Sequence, residues 1–102
     1  MITLRASISA NCSDIYFLSK KYKNKAGEDR TFEGWNIELF NPEFSSQYDR
    51  FLTLVMDKEN GDKADLGKQK MNYVNKKVKV TCNLTQYQNT IRLTPVMLEL
   101  EK

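Results

Sequence analysis

The sequence predicts a mainly β domain: five strands forming a small Greek-key barrel, with one short helix between strands 3 and 4. Three observations predict it. Apolar and polar residues alternate over Ile2–Cys12 and again over Val78–Leu84, the period of a strand with one buried face. β-Branched and aromatic residues fill the segments between, broken by polar, glycine-containing turns. The stretch Asp65–Lys76 repeats its apolar residues at helical spacing instead.

In the first strand Ile2, Leu4, Ala6, Ile8, Ala10 and Cys12 take every second position. A bend or bulge is expected over Asn11–Asp14, after which Ile15–Lys23 resumes extended structure. Asn24–Asp29 is a turn in which Gly27 is available for a positive φ, and Arg30–Phe40 is the returning strand. There Trp35, Ile37 and Leu39 share one face, while Phe32, Asn36, Glu38 and Phe40 share the other. A bulge at Gly34 would move Trp35 across.

Asn41-Pro42-Glu43 ends that strand. Residues 42–50 form a loop or short helical turn, with Asn41 as cap and Pro42 at a tolerated first position. Phe51–Met56 reads as a buried strand, although Phe44, Tyr48, Phe51 and Val55 would also share one helical face. Asp57–Lys63 is a polar connector. Leu66, Tyr73 and Val74 mark the amphipathic helix, capped by Asp62 or Asp65. Val78, Val80, Cys82 and Leu84 form the fourth strand and Gln86–Asn89 a tight polar turn. Thr90–Leu100 is the last strand, with Pro95 where the apolar parity switches and an edge bulge is expected.

A chain of 102 residues with 40% apolar and 28% charged residues fits one soluble domain. It has no apolar run of bilayer length, and its start lacks a signal peptide's continuous apolar region, so a cytoplasmic location is expected. Cys12 and Cys82 fall at apolar positions of alternating runs and read as core thiols rather than a disulfide. Histidine is absent, removing the commonest metal ligand and general base. The four glycines stand apart, so no phosphate-cradling loop is present. The paired acids Asp62/Asp65 and Glu99/Glu101 suit a helix start and a solvent-facing strand edge. Neither an enzyme, a cofactor nor a metal is expected.

What stands out is the distribution of charge and rings. The net charge is only +3, but residues 19–30 hold Lys20, Lys21, Lys23, Lys25 and Arg30 against two acids. Residues 68–79 hold five lysines and no acid, and solubility is the default role for that second segment. Over Tyr16–Arg30, Tyr16, Phe17 and Tyr22 interleave with lysines, and the return strand carries Phe32 and Trp35. Rings on which bases stack, beside cations that meet phosphates, are the chemistry of single-stranded nucleic-acid binding.

The order strand-strand-strand-helix-strand-strand is that of the OB-fold, which binds oligonucleotides around strands 2 and 3 between its first and last hairpin loops. An open α+β sheet uses the same elements. In the barrel, those loops are the Lys23–Asp29 tip and the Gln86–Asn89 turn with Tyr87. Lys21, Lys23, Lys25 and Arg30 are then candidates for phosphates, Tyr22, Phe32 and Tyr87 for base platforms, and Arg92 for either role. Trp35 is a platform or, by its parity with Ile37 and Leu39, core.

Two segments carry a resemblance: Tyr22-Lys23-Asn24-Lys25-Ala26-Gly27-Glu28 leading into Phe32 and Trp35, and Val78–Tyr87 leading into Ile91-Arg92-Leu93. With them the chain resembles the small OB-fold single-stranded-DNA-binding proteins of phages and mobile elements. The resemblance implies sequence-tolerant binding of single-stranded DNA in replication, recombination or element transfer, with replication or recombination proteins as further partners. RNA would suit the same platforms. Bacterial housekeeping members carry a disordered acidic tail, whereas this chain ends Leu98-Glu99-Leu100-Glu101-Lys102, so recruitment through such a tail is not expected. A reading from another class is a protein-interaction module whose basic hairpin docks an acidic surface.

Overall fold

The longest strand, β1 (Thr3–Lys23), has two different partners along its length. In this computed structural model, which describes residues 3–43 and 51–101, Thr3–Asn11 of β1 pairs with β4 (Lys77–Tyr87). From Asn11 to Lys23 it pairs with β2 (Asp29–Phe40). β3 (Phe51–Asp57) and β5 (Thr90–Leu100) complete one antiparallel sheet in the order β3-β2-β1-β4-β5. β5 also packs alongside β3, yet no ladder joins these edges, so the sheet curls without closing.

The change of partner in β1 coincides with the expected bulge. Register slips between Cys12 and Asp14, leaving Ser13 as the extra residue. The inward parity thereby changes from even, at Ile8, Ala10 and Cys12, to odd at Ile15, and both halves of the strand face one core. All five strands enter that core: Cys12 and Ile15, Ile37 and Leu39, Leu54 and Met56, Val78, Val80 and Cys82, and Leu98. The two cysteines are buried free thiols, as their parity implied, and burial pushes Cys12 up to about 11 and also raises Cys82.

Two short helices, not one, link β3 to β4. α1 (Lys58–Lys63) lies where a polar connector was expected, and α2 (Leu66–Tyr73) ends three residues before Lys76. Of the two caps expected, Asp65 takes the N-cap position of α2 and Asp62 does not. The α1 cap is Asp57, whose carboxylate accepts from the Asn60 N–H at 3.3 Å. Asp65 precedes α2 in the left-handed region, φ 56°, with no side-chain cap bond. Asp62 instead pairs with Lys58 at 2.6 Å and accepts from the Trp35 indole N–H at 3.3 Å.

Trp35 packs directly beneath α1. The β1–β2 ladder runs regularly past Gly34, so the anticipated bulge is absent and Trp35 stays with Ile37 and Leu39. Its ring meets Phe17 edge-on at 5.3 Å, and α1 and α2 lie against it through Gly61 and Gly67. A methyl group on Gly61 would overlap the indole. α2 contributes Leu66 to the core, and the helix and the residues just after it are tied to the β1 bulge by three contacts. Lys70 meets Asp14 at 3.1 Å, the Asn75 N–H donates to the Cys12 carbonyl at 2.8 Å, and the Cys12 N–H donates to the Lys76 carbonyl at 2.9 Å.

β3 is a strand as read, but only half buried: Leu54 and Met56 point inward while Phe51, Leu52 and Val55 are exposed. β5 bulges at the expected place, with Cys82 opposite Pro95 and Thr81 opposite Met97, so Val96 is the extra residue. β4 continues through Tyr87, shortening the last turn to Gln88–Asn89, with Gln88 at φ 55°. Asn41 accepts from the Glu43 N–H at 3.0 Å, while residues 44–50 of the expected loop or short helical turn, with Phe44 and Tyr48, fall outside the described residues. Among the described residues no helix is long and apolar enough to cross a membrane.

Gly61→Ala is expected to lower unfolding stability by about 1–3 kcal/mol despite its better helix propensity, read by urea denaturation with Trp35 fluorescence as the probe. Stability should also fall with acid. The Lys70 ammonium and the Ile15 N–H hold Asp14 below the usual carboxylate range, and Lys58 does the same for Asp62. A carboxylate depressed in the folded state stabilises at pH above its unfolded value, about 3.9, and that contribution is lost as pH falls through the lower folded value. Denaturation midpoints should therefore drop below about pH 4, and Asp14→Asn should lower the neutral-pH midpoint while narrowing the difference between neutral and acid. Both thiols should resist alkylation at pH 8 in the native protein and react once it is unfolded in urea.

Candidate nucleic-acid interface

Beyond Gly34 the β1–β2 hairpin has no third strand among the described residues, because β3 pairing stops at Gly34 and β4 pairing stops at Asn11. The hairpin thus projects as a two-stranded ribbon with both edges unpaired. Its tip is built by Asn24, whose side-chain oxygen accepts from the Ala26 N–H at 3.0 Å and the Glu28 N–H at 2.9 Å. Gly27 adopts φ 79°, as its place in the turn required. The loop closes one residue earlier than the sequence suggested: Asp29 is already the first residue of β2, opposite Lys23.

That one residue decides which side chains share a face. Tyr22 lies beside Arg30, Lys20 beside Phe32, Leu18 beside Gly34 and Tyr16 beside Asn36, all on the face away from Trp35. β3 extends the same face with Thr53 and Val55. Tyr22 is 48% exposed and Phe32 38% exposed, so both rings are open to a ligand. Phe32 lies over Gly34, where a side chain would meet the Phe32 ring and the Met56 carbonyl.

The curl of the sheet then brings in the second hairpin. Phe32, Thr53, Leu54, Val55 and Asp57 line one side of a cleft of about 420 Å³, and Arg92, Leu93 and Thr94 of β5 line the other. A ring from the first hairpin and a guanidinium from the last thus share one opening.

The other candidates divide. Lys25 stands exposed on the tip. Lys21 and Lys23 project from the opposite side of the ribbon to Tyr22, although all three line a shallow hollow with Arg30. Lys23 meets Asp29 at 3.7 Å and Arg30 meets Glu28 at 3.4 Å, exposed pairs that weaken neither cation much as a phosphate contact. Trp35 is not brought to this face, being packed beneath α1 and α2. Tyr87 ends β4, and its side chain falls outside the described residues. In the second basic segment Lys70 and Lys79 pair with Asp14 and Glu99.

Sequence reasoning passed over Lys20, which was counted as charge but not placed at the site. Its position opposite Phe32 needs the hairpin register. It also passed over a polar row on the same face. The Asn36 amide donates to the Tyr16 hydroxyl at 3.0 Å, and that hydroxyl donates to Glu38 Oε1 at 3.1 Å. Lys20, Lys21, Lys25 and Arg92 have no ion pair within 4.0 Å among the described residues, so their charges are available. No protein-family model, no curated protein and no solved structure matches the chain.

Proposed function

We propose that this chain is an OB-type barrel that binds single-stranded DNA with little sequence preference, in replication, recombination or transfer of a phage or mobile element. The strand order, the bent first strand and the approach of β5 to β3 support the barrel reading. One observation carries the functional reading: Phe32 and Arg92, from hairpins at opposite ends of the chain, line one cleft on the face that also presents Lys20, Tyr22 and Arg30. Rings and cations then alternate along a single path. Tyr22 and Phe32 serve as base platforms, while Lys20, Lys25, Arg30 and Arg92 neutralise phosphates. No reacting groups are assigned, and the role is binding rather than catalysis.

The test is fluorescence anisotropy of a labelled single strand. Trp35, lying under the helices, is kept as the monitor of fold. Micromolar or tighter affinity is expected at low salt, falling as salt rises with a slope of about 0.7 per phosphate contacted. Tyr22→Leu and Phe32→Leu should each weaken binding by about 1–3 kcal/mol with the fold intact, and Arg92→Ala should reduce the salt slope by about 0.7. Absence of binding at low salt would sink the proposal. Binding that ignores the Tyr22 and Phe32 variants would remove this face from it and favour docking of the basic ribbon on an acidic protein. The same strand made of RNA distinguishes the two polymers.

A further inference from the structure

The cleft between Phe32 and Arg92 has two unlike banks. On the β3 side stands Asp57, whose carboxylate caps α1. On the β5 side stand Arg92 and Thr94, a guanidinium and a hydroxyl. Phosphates are repelled by the first bank and attracted by the second, so a strand in this cleft carries its backbone over β5. It then leaves the cleft across the outer face of that strand.

That face continues onto β4 and β1. Val80 and Cys82 of β4, with Ile8 and Ala10 of β1, belong to the core, so the residues alternating with them point outward. Pairing sets the outward residues in rows: Arg92 beside Thr85 beside Thr3, then Thr94 beside Asn83 beside Arg5. These rows hold both arginines and no acid, and the rest are hydroxyls and an amide, groups that also bond phosphate oxygens. Arg5 is exposed, and neither arginine has a carboxylate within 4.0 Å among the described residues. Strand spacing and rise put their Cα atoms about 12 Å apart. Farther along, the face turns acidic. Lys79 meets Glu99 at 3.8 Å, and the Glu101 N–H donates to the Lys77 carbonyl at 3.0 Å, which brings a second carboxylate there.

We infer that the bound strand does not end at the cleft but crosses β5 and β4 to β1, turning at Arg92 and meeting Arg5 as its next phosphate contact. A polar outer face is ordinary for an antiparallel sheet. What makes this one a route is Arg92, which belongs both to the cleft and to the first row. A guanidinium can hold a phosphate through two parallel N–H bonds, so one arginine suffices to fix the backbone at each point. The inference rests on the proposed single-strand binding and extends its footprint to a surface on the far side of β5.

Oligo-dT strands of about 5 and about 15 nucleotides, near the two ends of the range one such domain covers, provide the test. Anisotropy gives the slope of log affinity against log salt, and Trp35 emission checks that each variant is folded. Arg5→Ala should lower the slope by about 0.7 on the longer strand and leave binding of the shorter one unchanged. Lys77→Ala removes the same charge from the acidic end of the face and should leave the longer strand's slope as it is. A slope on the longer strand that folded Arg5→Ala protein keeps, or that Lys77→Ala lowers as much, overturns the route and leaves the cleft proposal standing. An equal loss on both lengths does the same, since Arg5 would then act without the extension. Failure of the longer strand to bind the unaltered protein at low salt overturns the two together.

Discussion

The bulge in β1 is the constraint on which the rest of the structure depends. A straight strand of 21 residues would reach about 70 Å, far beyond the 44 Å of the longest dimension. The strand therefore has to turn, and it does so where Ser13 is squeezed out of register. Because strand parity is strictly two, the extra residue also swaps the buried set from Cys12 to Ile15, keeping an apolar face on one side of the bend. The backbone groups of Cys12 are met by Asn75 and Lys76, which seats the chain leaving α2 on the corner. Remove the bulge and β2 with β3 would extend away from β4 with β5, leaving each half-sheet without a core.

A division of labour on β2 follows from this curl. Its odd residues, Trp35, Ile37 and Leu39, hold the helices and the core. Its even residues, Arg30, Phe32, Gly34, Asn36 and Glu38, look outward onto the face shared with β1 and β3. Gly34 and Gly61 serve the two sides by the same means, close approach of a ring to backbone: Phe32 over one, Trp35 against the other. The tryptophan belongs to the scaffold, while the phenylalanine stays partly exposed on the outer face.

Much of the fold was legible because strands declare themselves by local alternation. β1, β4, the bulge near Asn11–Asp14 and the parity switch at Pro95 all follow from which residues are apolar. α1 was not legible, since a six-residue polar segment with a glycine has every local mark of a loop. It is helical because Asp57 caps it and Trp35 packs beneath it. The capping error at Asp62 has the same origin: its carboxylate is engaged by Lys58 and the indole.

The sequence alone determined that this protein is a strand-built domain with a basic, ring-bearing hairpin, because alternation, turn chemistry and composition are local properties. Only the tertiary structure decided which of those rings and cations stand together. Lys20 rather than Lys21 lies beside Phe32 because a loop one residue shorter than read resets every pairing behind it. Arg92 joins them because a curled sheet brings together residues far apart along the chain.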